Sequence, residues 1–320
     1  VSTHSILRIQ NGINPFEFDW LLSEGQIFDS PESVMTFSNK GLNGMSQNMH
    51  AFVKEHIVRG VWKYKERPIL VNNWEATFFN FNEKKILEIA KATKDLGAEM
   101  FVLDDGWFGK RNNDKAGLGD WNVNIKKLPS GIGGLAQKIN DMGIKFGLWV
   151  EPEMVNPDSD LYRAHPEWAV TTDIYKPSEG RNQLVLDLTR EDVRDYIVDA
   201  VSSVLDSTQI EYVKWDMNRI FSDYYSQYLK PEQQGEVAHR YMMGLYRLMK
   251  TVTERFPHIL FEGCASGGNR FDLGILCYFP QIWASDNTDP YARVFIQNGS
   301  SMAYPVSTLS CHFTRGDCTS

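Results

Sequence analysis

The sequence predicts an α/β chain folded as a (β/α)8 barrel of the TIM type, either complete or short of its last strand, after a short β-rich segment. Three observations carry this. From Arg67 onward, short apolar runs alternate with stretches of helical period, which implies right-handed βαβ units and a parallel sheet. Seven or eight such units fit a closed barrel, and 320 residues leave room for one, since a barrel takes about 250. Almost every strand-like run also ends in acids, amides or Trp, as the C-terminal mouth of a barrel does.

The elements follow in order. Residues 1–60 hold extended runs (Ser5–Gln10, Phe16–Trp20) broken by Asn-Gly and Ser-Pro turn signals, then a helix near Asn48–Val58. Pro68–Trp74 reads as a buried strand bounded by Pro. Asn82 caps a helix with Ile86, Leu87, Ala90, Thr93 and Leu96 on one face, closed by Gly97. Met100–Asp105 is the next strand, and a helix bearing Leu135, Ile139 and Met142 stops at Gly143 before the strand Ile144–Glu151. Thr189 and Asp192 form a capping box for a helix carrying Val193, Ile197, Val201 and Val204. The strand Ile210–Asp216, a long helix through Ala238, Met242, Leu245, Met249 and Val252, and the strands His258–Cys264 and Gln281–Asp286 complete the series. Tyr304–His312 offers a further strand. The count reaches eight only if Leu184–Leu188 belongs to the barrel.

Composition excludes several classes. A net charge of -8 disfavours nucleic acid, whose phosphates need a basic face. No apolar run is long enough to cross a bilayer, and no leader pattern opens the chain at Val1. The four cysteines (264, 277, 311 and 318) form neither a C-x-x-C pair nor a dense framework, so they read as reduced thiols of a cytoplasmic protein. Seven scattered His residues make no metal motif, and no cofactor or metal is expected.

The strand ends carry the chemistry. Asn73 and Trp74, Asp104 and Asp105, Trp149 with Glu151 and Glu153, Lys214 with Asp216 and Asn218, Glu262 and Cys264, and Ser285 and Asp286 would converge on one mouth. Carboxylates gathered there beside Trp suit glycoside cleavage, in which one attacks the anomeric carbon while another donates and later takes a proton. Lys214, Asp216 and Asn218 alternate, so an extended chain points all three the same way, and an ammonium beside Asp216 keeps it ionised. A plain structural Lys–Asp pair is the bland alternative. For the partner acid the strand parity favours Asp286 over Asp289 only weakly, and both stay open. Asp104 and Asp105 ahead of Gly106 suit vicinal hydroxyls, or an Asx turn. Gly263–Gly268 is a small-residue loop without the Lys-Ser/Thr of a phosphate loop.

Leu103-Asp-Asp-Gly-Trp-Phe108, Tyr212-Val-Lys-Trp-Asp-Met-Asn-Arg219, Gly263-Cys-Ala-Ser-Gly-Gly268 and Ser285-Asp-Asn-Thr-Asp289, in that order, resemble the bacterial α-galactosidases of glycoside hydrolase family 36. The resemblance runs from about Arg67 to about Tyr304. It implies a retaining barrel enzyme with Asp216 as nucleophile and Asp286 as acid/base. Trp74, Asp104 and Asp105 match residues holding the 4-OH and 6-OH of galactose; Arg181, Lys214 and Asn218 match further hydroxyl contacts. Cys264 and Gly267, in a C-x-x-G-x-x-R pattern ending at Arg270, match a 2-OH loop, and Trp149 an apolar wall. The implied partners are α-galactoside oligosaccharides such as melibiose, raffinose and stachyose, and a homo-oligomer, tetrameric in relatives. Residues 1–60 resemble the tail of the family's N-terminal β-sandwich, residues 61–320 are expected to be the barrel, and the C-terminal β-domain is expected to be absent. Competing readings are a transglycosylase using the same residues, a non-catalytic sugar-binding barrel, and an enolase-like site with Mg²⁺ on Asp104, Glu153 and Asp216.

Overall fold

Six short strands form one parallel sheet in this computed structural model, which describes residues 8–172 and 174–311. They are β1 (Leu70–Asn72), β2 (Met100–Leu103), β3 (Lys145–Val150), β6 (Tyr212–Trp215), β7 (Leu260–Gly263) and β8 (Gln281–Ile282), in the spatial order β1-β2-β3-β6-β7-β8. The first two strands pair in step, Leu70 with Met100 and Asn72 with Val102. Beyond β8 a single parallel bridge joins Ile282 to Leu309, backed by Ser310 N–H donating to the Ile282 carbonyl at 2.9 Å. Among the described residues the expected last strand is reduced to that contact, with Val306–Thr308 turning as a 3-10 helix just before it; His312 lies outside them. Among the described residues nothing pairs β1 with the Leu309 segment, so the barrel is open along that edge.

The period of two sorts each strand into an inner and an outer set. Met100, Val102, Tyr212 and Leu260 join Leu70 and Trp62 in one small cluster. Their alternates, Phe101, Leu103, Val213, Trp215 and Phe261, belong to the large cluster shared with the helices. Trp62 anchors the small cluster by donating its indole N–H to the His258 carbonyl at 3.2 Å. Each fully buried side chain of this size contributes about 1.5–3 kcal/mol. Continuing the inner parity past this apolar layer leads to Asn72, Asp104, Lys214, Asp216 and Cys264 at the opposite mouth.

The helices that cover the sheet are α3 (Glu83–Asp95), α4 (Gly131–Asp141), α6 (Glu191–Asp206) and α7 (Val237–Arg255). Preceding or joining them are α1 (Gly41–Phe52) and the short helices α2 (Trp74–Thr77), α5 (Asp160–Ala164) and α8 (Leu273–Leu276), with α9 (Pro290–Ser301) closing the series. Asn82 caps α3 as expected, accepting from the Lys85 N–H at 3.0 Å, and Gly97 closes it with φ +79°. Leu96, expected on its apolar face, is exposed instead, since it sits in the closing turn.

Four expectations need correction. The β-rich opening does not form among the described residues, and Ser5–Leu7 lie outside them. Residues 8–40 instead lie as irregular chain, and Phe18, Trp20 and Phe28 gather around His239 of α7. The segment's backbone finds partners on the 3-10 turn just before that helix, Asp19 N–H on the Gly235 carbonyl and Leu21 N–H on the Glu236 carboxylate, in place of a strand neighbour. The first helix begins earlier than expected, at Gly41, and runs through a wide turn to Ile57. Thr189 does not cap α6: Arg190 holds the cap position with no side-chain cap, and the Thr189 hydroxyl and N–H both donate to the Asp187 carboxylate. Leu184–Val185 (β5) pairs antiparallel with Met154–Val155 (β4) outside the main sheet and is not a barrel strand.

Candidate active site

Three inner strand ends meet at the mouth. Asp104, just past β2, takes the amide of Asn72 at 2.6 Å and the ammonium of Lys214 at 3.3 Å on one oxygen. Its other oxygen receives the Asp105 N–H. Lys214 is itself half-buried, and the acids around it raise its pKa against the opposing effect of burial. Two residues on, Asp216 is 6% exposed and accepts the Trp149 indole N–H at 3.1 Å and the Met217 N–H at 2.9 Å. Burial pushes its carboxyl up. The Lys214 charge and side-chain hydrogen bonds from Cys264, Asn218 and Trp149 outweigh that and hold it below the ordinary carboxylate range. Trp149 therefore braces Asp216 as well as lining the site.

Asp105 faces a different partner. Arg111, 2% exposed, grips it through Nε at 3.0 Å and Nη2 at 2.8 Å, a forked pair fixed further by Asn156. Burial raises the Asp105 carboxyl above its ordinary value, and the guanidinium limits the rise. Trp74 begins α2 beside them, its ring edge-on to Phe78 and Phe79 at 5.3 and 5.1 Å.

The opposite wall comes from β7 and β8. Cys264 is buried next to Asp216, and burial together with that negative charge drives its thiol pKa well up. Gly267 has φ +90°, and a Cβ there would lie 2.8 Å from the Ser285 Cα and 3.0 Å from the Asp286 nitrogen. Only glycine lets this loop lie against the Asp286 segment. Asp286 is exposed and accepts the Trp283 indole N–H at 2.8 Å. Two cations lie over that indole, Lys214 at 5.7 Å and Arg293 at 5.2 Å from its centroid. Asp289, the alternative, is spent on capping α9 through the Ala292 N–H at 2.7 Å. Arg181 reaches in from a hairpin turn with φ +52° and donates to Asn218 at 2.7 Å, where Ser266 also donates.

The mouth thus brings together Trp74, Asp104, Asp105, Trp149, Arg181, Lys214, Asp216, Asn218, Cys264, Gly267 and Asp286. Others named in the sequence turn away. Glu153 binds Arg270 through two hydrogen bonds, at 2.8 and 2.9 Å, and takes Trp215 and Tyr241 as well. This pair removes both Glu153 from a metal set with Asp104 and Asp216 and Arg270 from the hydroxyl-binding loop. Glu262 is occupied below the mouth by Gln281 and Ser310. Sequence reasoning missed Arg111, which lies in a loop of polar residues without periodicity, and Asn72, whose neighbour Asn73 attracted the assignment.

Residues 27–317 match the family described as Melibiase. The chain belongs to that family. Its relatives include the α-galactosidase AgaA of Geobacillus stearothermophilus, 57% identical over 95% of this chain and 42% of the relative. Another is α-galactosidase 1 of Pediococcus pentosaceus, 53% identical over 96% of this chain and 42% of that protein. The crystal structure of AgaA, a family 36 enzyme, superposes with a TM-score of 0.93 at 57% identity, covering 94% of this chain and 42% of that one. Substituted forms of AgaA have been solved in complex with raffinose and with stachyose, the latter at a TM-score of 0.94, 55% identity, 96% of this chain and 43% of that one. The chain spans under half the length of the relatives it matches. For a Melibiase-family barrel, the open edge beside Leu309 leaves the mouth assembled: every strand end that meets there is held within β1 to β8 or the loops following them.

Proposed function

We propose that this chain carries the catalytic barrel of a retaining α-galactosidase acting on melibiose, raffinose and stachyose types of sugar. One observation carries the reading: Asp216, buried at the mouth, is held ionised by an ammonium and three side-chain donors, as a nucleophile must be. Residues 61–320 are assigned to the barrel and residues 1–60 to a preceding segment. Relatives solved with raffinose and stachyose support the substrate class.

In the proposed sequence, Asp216 attacks the anomeric carbon and forms a covalent galactosyl ester while Asp286 gives its proton to the departing glycosidic oxygen. Asp286 then takes a proton from water, which attacks the same carbon and releases Asp216. Two displacements return the starting configuration. Asp104 and Asp105 accept from the 4-OH and 6-OH beside the Trp74 ring, and Lys214, Asn218, Arg181, Cys264 and the backbone at Gly267 contact the remaining hydroxyls. Glu151 is a poorer acid/base than Asp286 despite lying near Asp216. Burial and the Asp216 charge push its carboxyl well up, but it is enclosed, with its oxygens accepting from the Asn218 N–H and the Gln183 amide. No path brings a leaving group to it.

The test is a comparison of p-nitrophenyl α-galactoside with the β-galactoside, the α-glucoside and the α-N-acetylgalactosaminide. The reading expects turnover of the first with at least tenfold preference over its 4-epimer, because unpaired buried acceptors are costly. Equal rates on α-galactoside and α-glucoside would refute it.

A further inference from the structure

Lys127 is half-buried behind the sugar-facing residues, and its ammonium has three donors. All three are used on backbone carbonyls: Gly106 at 2.9 Å, Phe79 at 3.1 Å and Arg111 at 3.1 Å. These carbonyls are not arbitrary. Gly106 directly follows Asp105. Arg111 grips Asp105 through its side chain. The Phe79 ring lies edge-on to Trp74 at 5.1 Å and 5.5 Å from the Arg111 guanidinium. One ammonium therefore ties together the residues that set the Asp105 carboxylate and those that set the Trp74 ring.

Two further features show that the arrangement is built. Gly106 adopts φ +105°, and a Cβ there would come within 3.1 Å of the Phe79 ring, 3.2 Å of Phe81 and 3.4 Å of the Lys127 nitrogen. The loop has closed around the cation. The Lys127 backbone is fixed as well, its N–H donating to the Asn124 carbonyl at 3.0 Å and its carbonyl receiving the Glu83 N–H at 2.8 Å. The ammonium also sits 4.7 Å from the Phe81 ring centroid, a cation–π contact that favours its charge where water is reduced. The nearby Asp105 carboxylate also favours the charge, against burial and the Arg111 guanidinium.

We propose that Lys127 is a positioning residue that sets the hydroxyl selectivity of the site by clamping the Phe79, Gly106 and Arg111 carbonyls. The inference rests on the α-galactosidase reading. Without the ammonium, three inward carbonyls lose their donors and the two loops part. Asp105 and Trp74 then shift relative to each other while Asp216, braced from β3 and β7, stays in place. Recognition of the sugar should suffer more than the chemical step.

The experiment measures kcat and KM of wild type, K127A and K127R on p-nitrophenyl α-galactoside and α-glucoside, together with the melting temperature. Misplacement of a binding group by a fraction of an ångström predicts a rise in KM on the order of tenfold for K127A, with a smaller change in kcat. The galactoside-to-glucoside ratio should fall by a similar factor, and K127R, which keeps donors in reach, should recover most of it. If K127A does not fold, K127M keeps the aliphatic stem and carries the same expectation. Unchanged KM and selectivity would overturn the proposal. So would a loss of kcat that is equal for both sugars, follows melting temperature and is not recovered by K127R. A wild type that leaves α-galactosides untouched removes the α-galactosidase reading and this inference with it, whereas an active wild type with an indifferent K127A removes this inference alone.

Discussion

The two carboxylates assigned to the reaction sit in opposite surroundings. Asp216 is buried, faces an ammonium on its own strand, and takes hydrogen bonds from the neighbouring strands on both sides. Asp286 lies exposed on a loop after β8, held by the indole of Trp283 three residues earlier. A nucleophile has one charge state and one position to keep, and a rigid, donor-rich cage supplies both. A group that must give a proton and later accept one needs access to the leaving group and to water, which exposure supplies. Under the proposed mechanism, the difference in burial suits the two carboxylates to these two roles.

That comparison can be broken at either end. Replacing Asp216 by Gly should cost the most, about 10⁴-fold or more in kcat, because no other oxygen is placed to attack. Azide entering the gap should restore turnover and yield the β-configured galactosyl azide, the product of a single displacement. An α-configured product would exchange the roles of the two acids. Next, Asp286→Ala should lower hydrolysis of melibiose by about 10²–10⁴-fold, while a nitrophenyl substrate, which needs little protonation, loses much less. Nitrophenolate should appear as a burst, since deglycosylation then lacks its base. Equal losses on both substrates would contradict the assignment.

A smaller effect sharpens the account of charge. Lys214→Met removes the ammonium that opposes burial at Asp216, so that carboxyl should titrate at higher pH. The acid limb of kcat/KM in wild type should lie where Asp216 protonates, below the ordinary carboxylate range, and in the variant it should move upward. Stability is linked to the same group. Because the folded value is depressed, ionised Asp216 contributes stability above the unfolded carboxyl pKa that is lost as pH falls through the folded one; in the variant the folded value rises, so that contribution shrinks. An acid limb that stays in place would show that Lys214 serves Asp104 alone. The smallest effect is reserved for Asp289→Ala. It should cost about 1 kcal/mol of stability through the lost cap of α9, seen in thermal unfolding, with activity retained. A collapse of activity there would reopen the choice between Asp286 and Asp289.

How much of this was legible depended on whether a residue acts through its strand. The inner parity of Lys214, Asp216 and Asn218 is local, so period-two alternation was enough to place them together. Asp104 was legible for the same reason, as was the cap at Asn82. The partners that come from outside the strands were not. Arg111 reaches Asp105 across a loop whose path is set by Gly106, Gly109 and Gly117, all with positive φ. Glu153 looked like Glu151 in sequence, yet a local bend after β3 sends one to Asn218 and the other to Arg270. The opening segment failed differently. Its alternating apolar residues suit a strand, but strand formation requires a neighbour, and α7 supplied its contacts instead.

The most direct test of the central claim is to trap the covalent intermediate with a 2-deoxy-2-fluoro galactosyl fluoride, digest the protein, and identify the modified residue by mass spectrometry. The 2-fluorine destabilises the oxocarbenium-like transition states of both steps, and the good fluoride leaving group restores the first, so the ester accumulates. The label is expected on Asp216, in the peptide containing Val213–Arg219, one sugar per chain, with Asp286 unmodified. A label on Asp286 or Glu151, or turnover with inversion and no covalent adduct, would contradict the account.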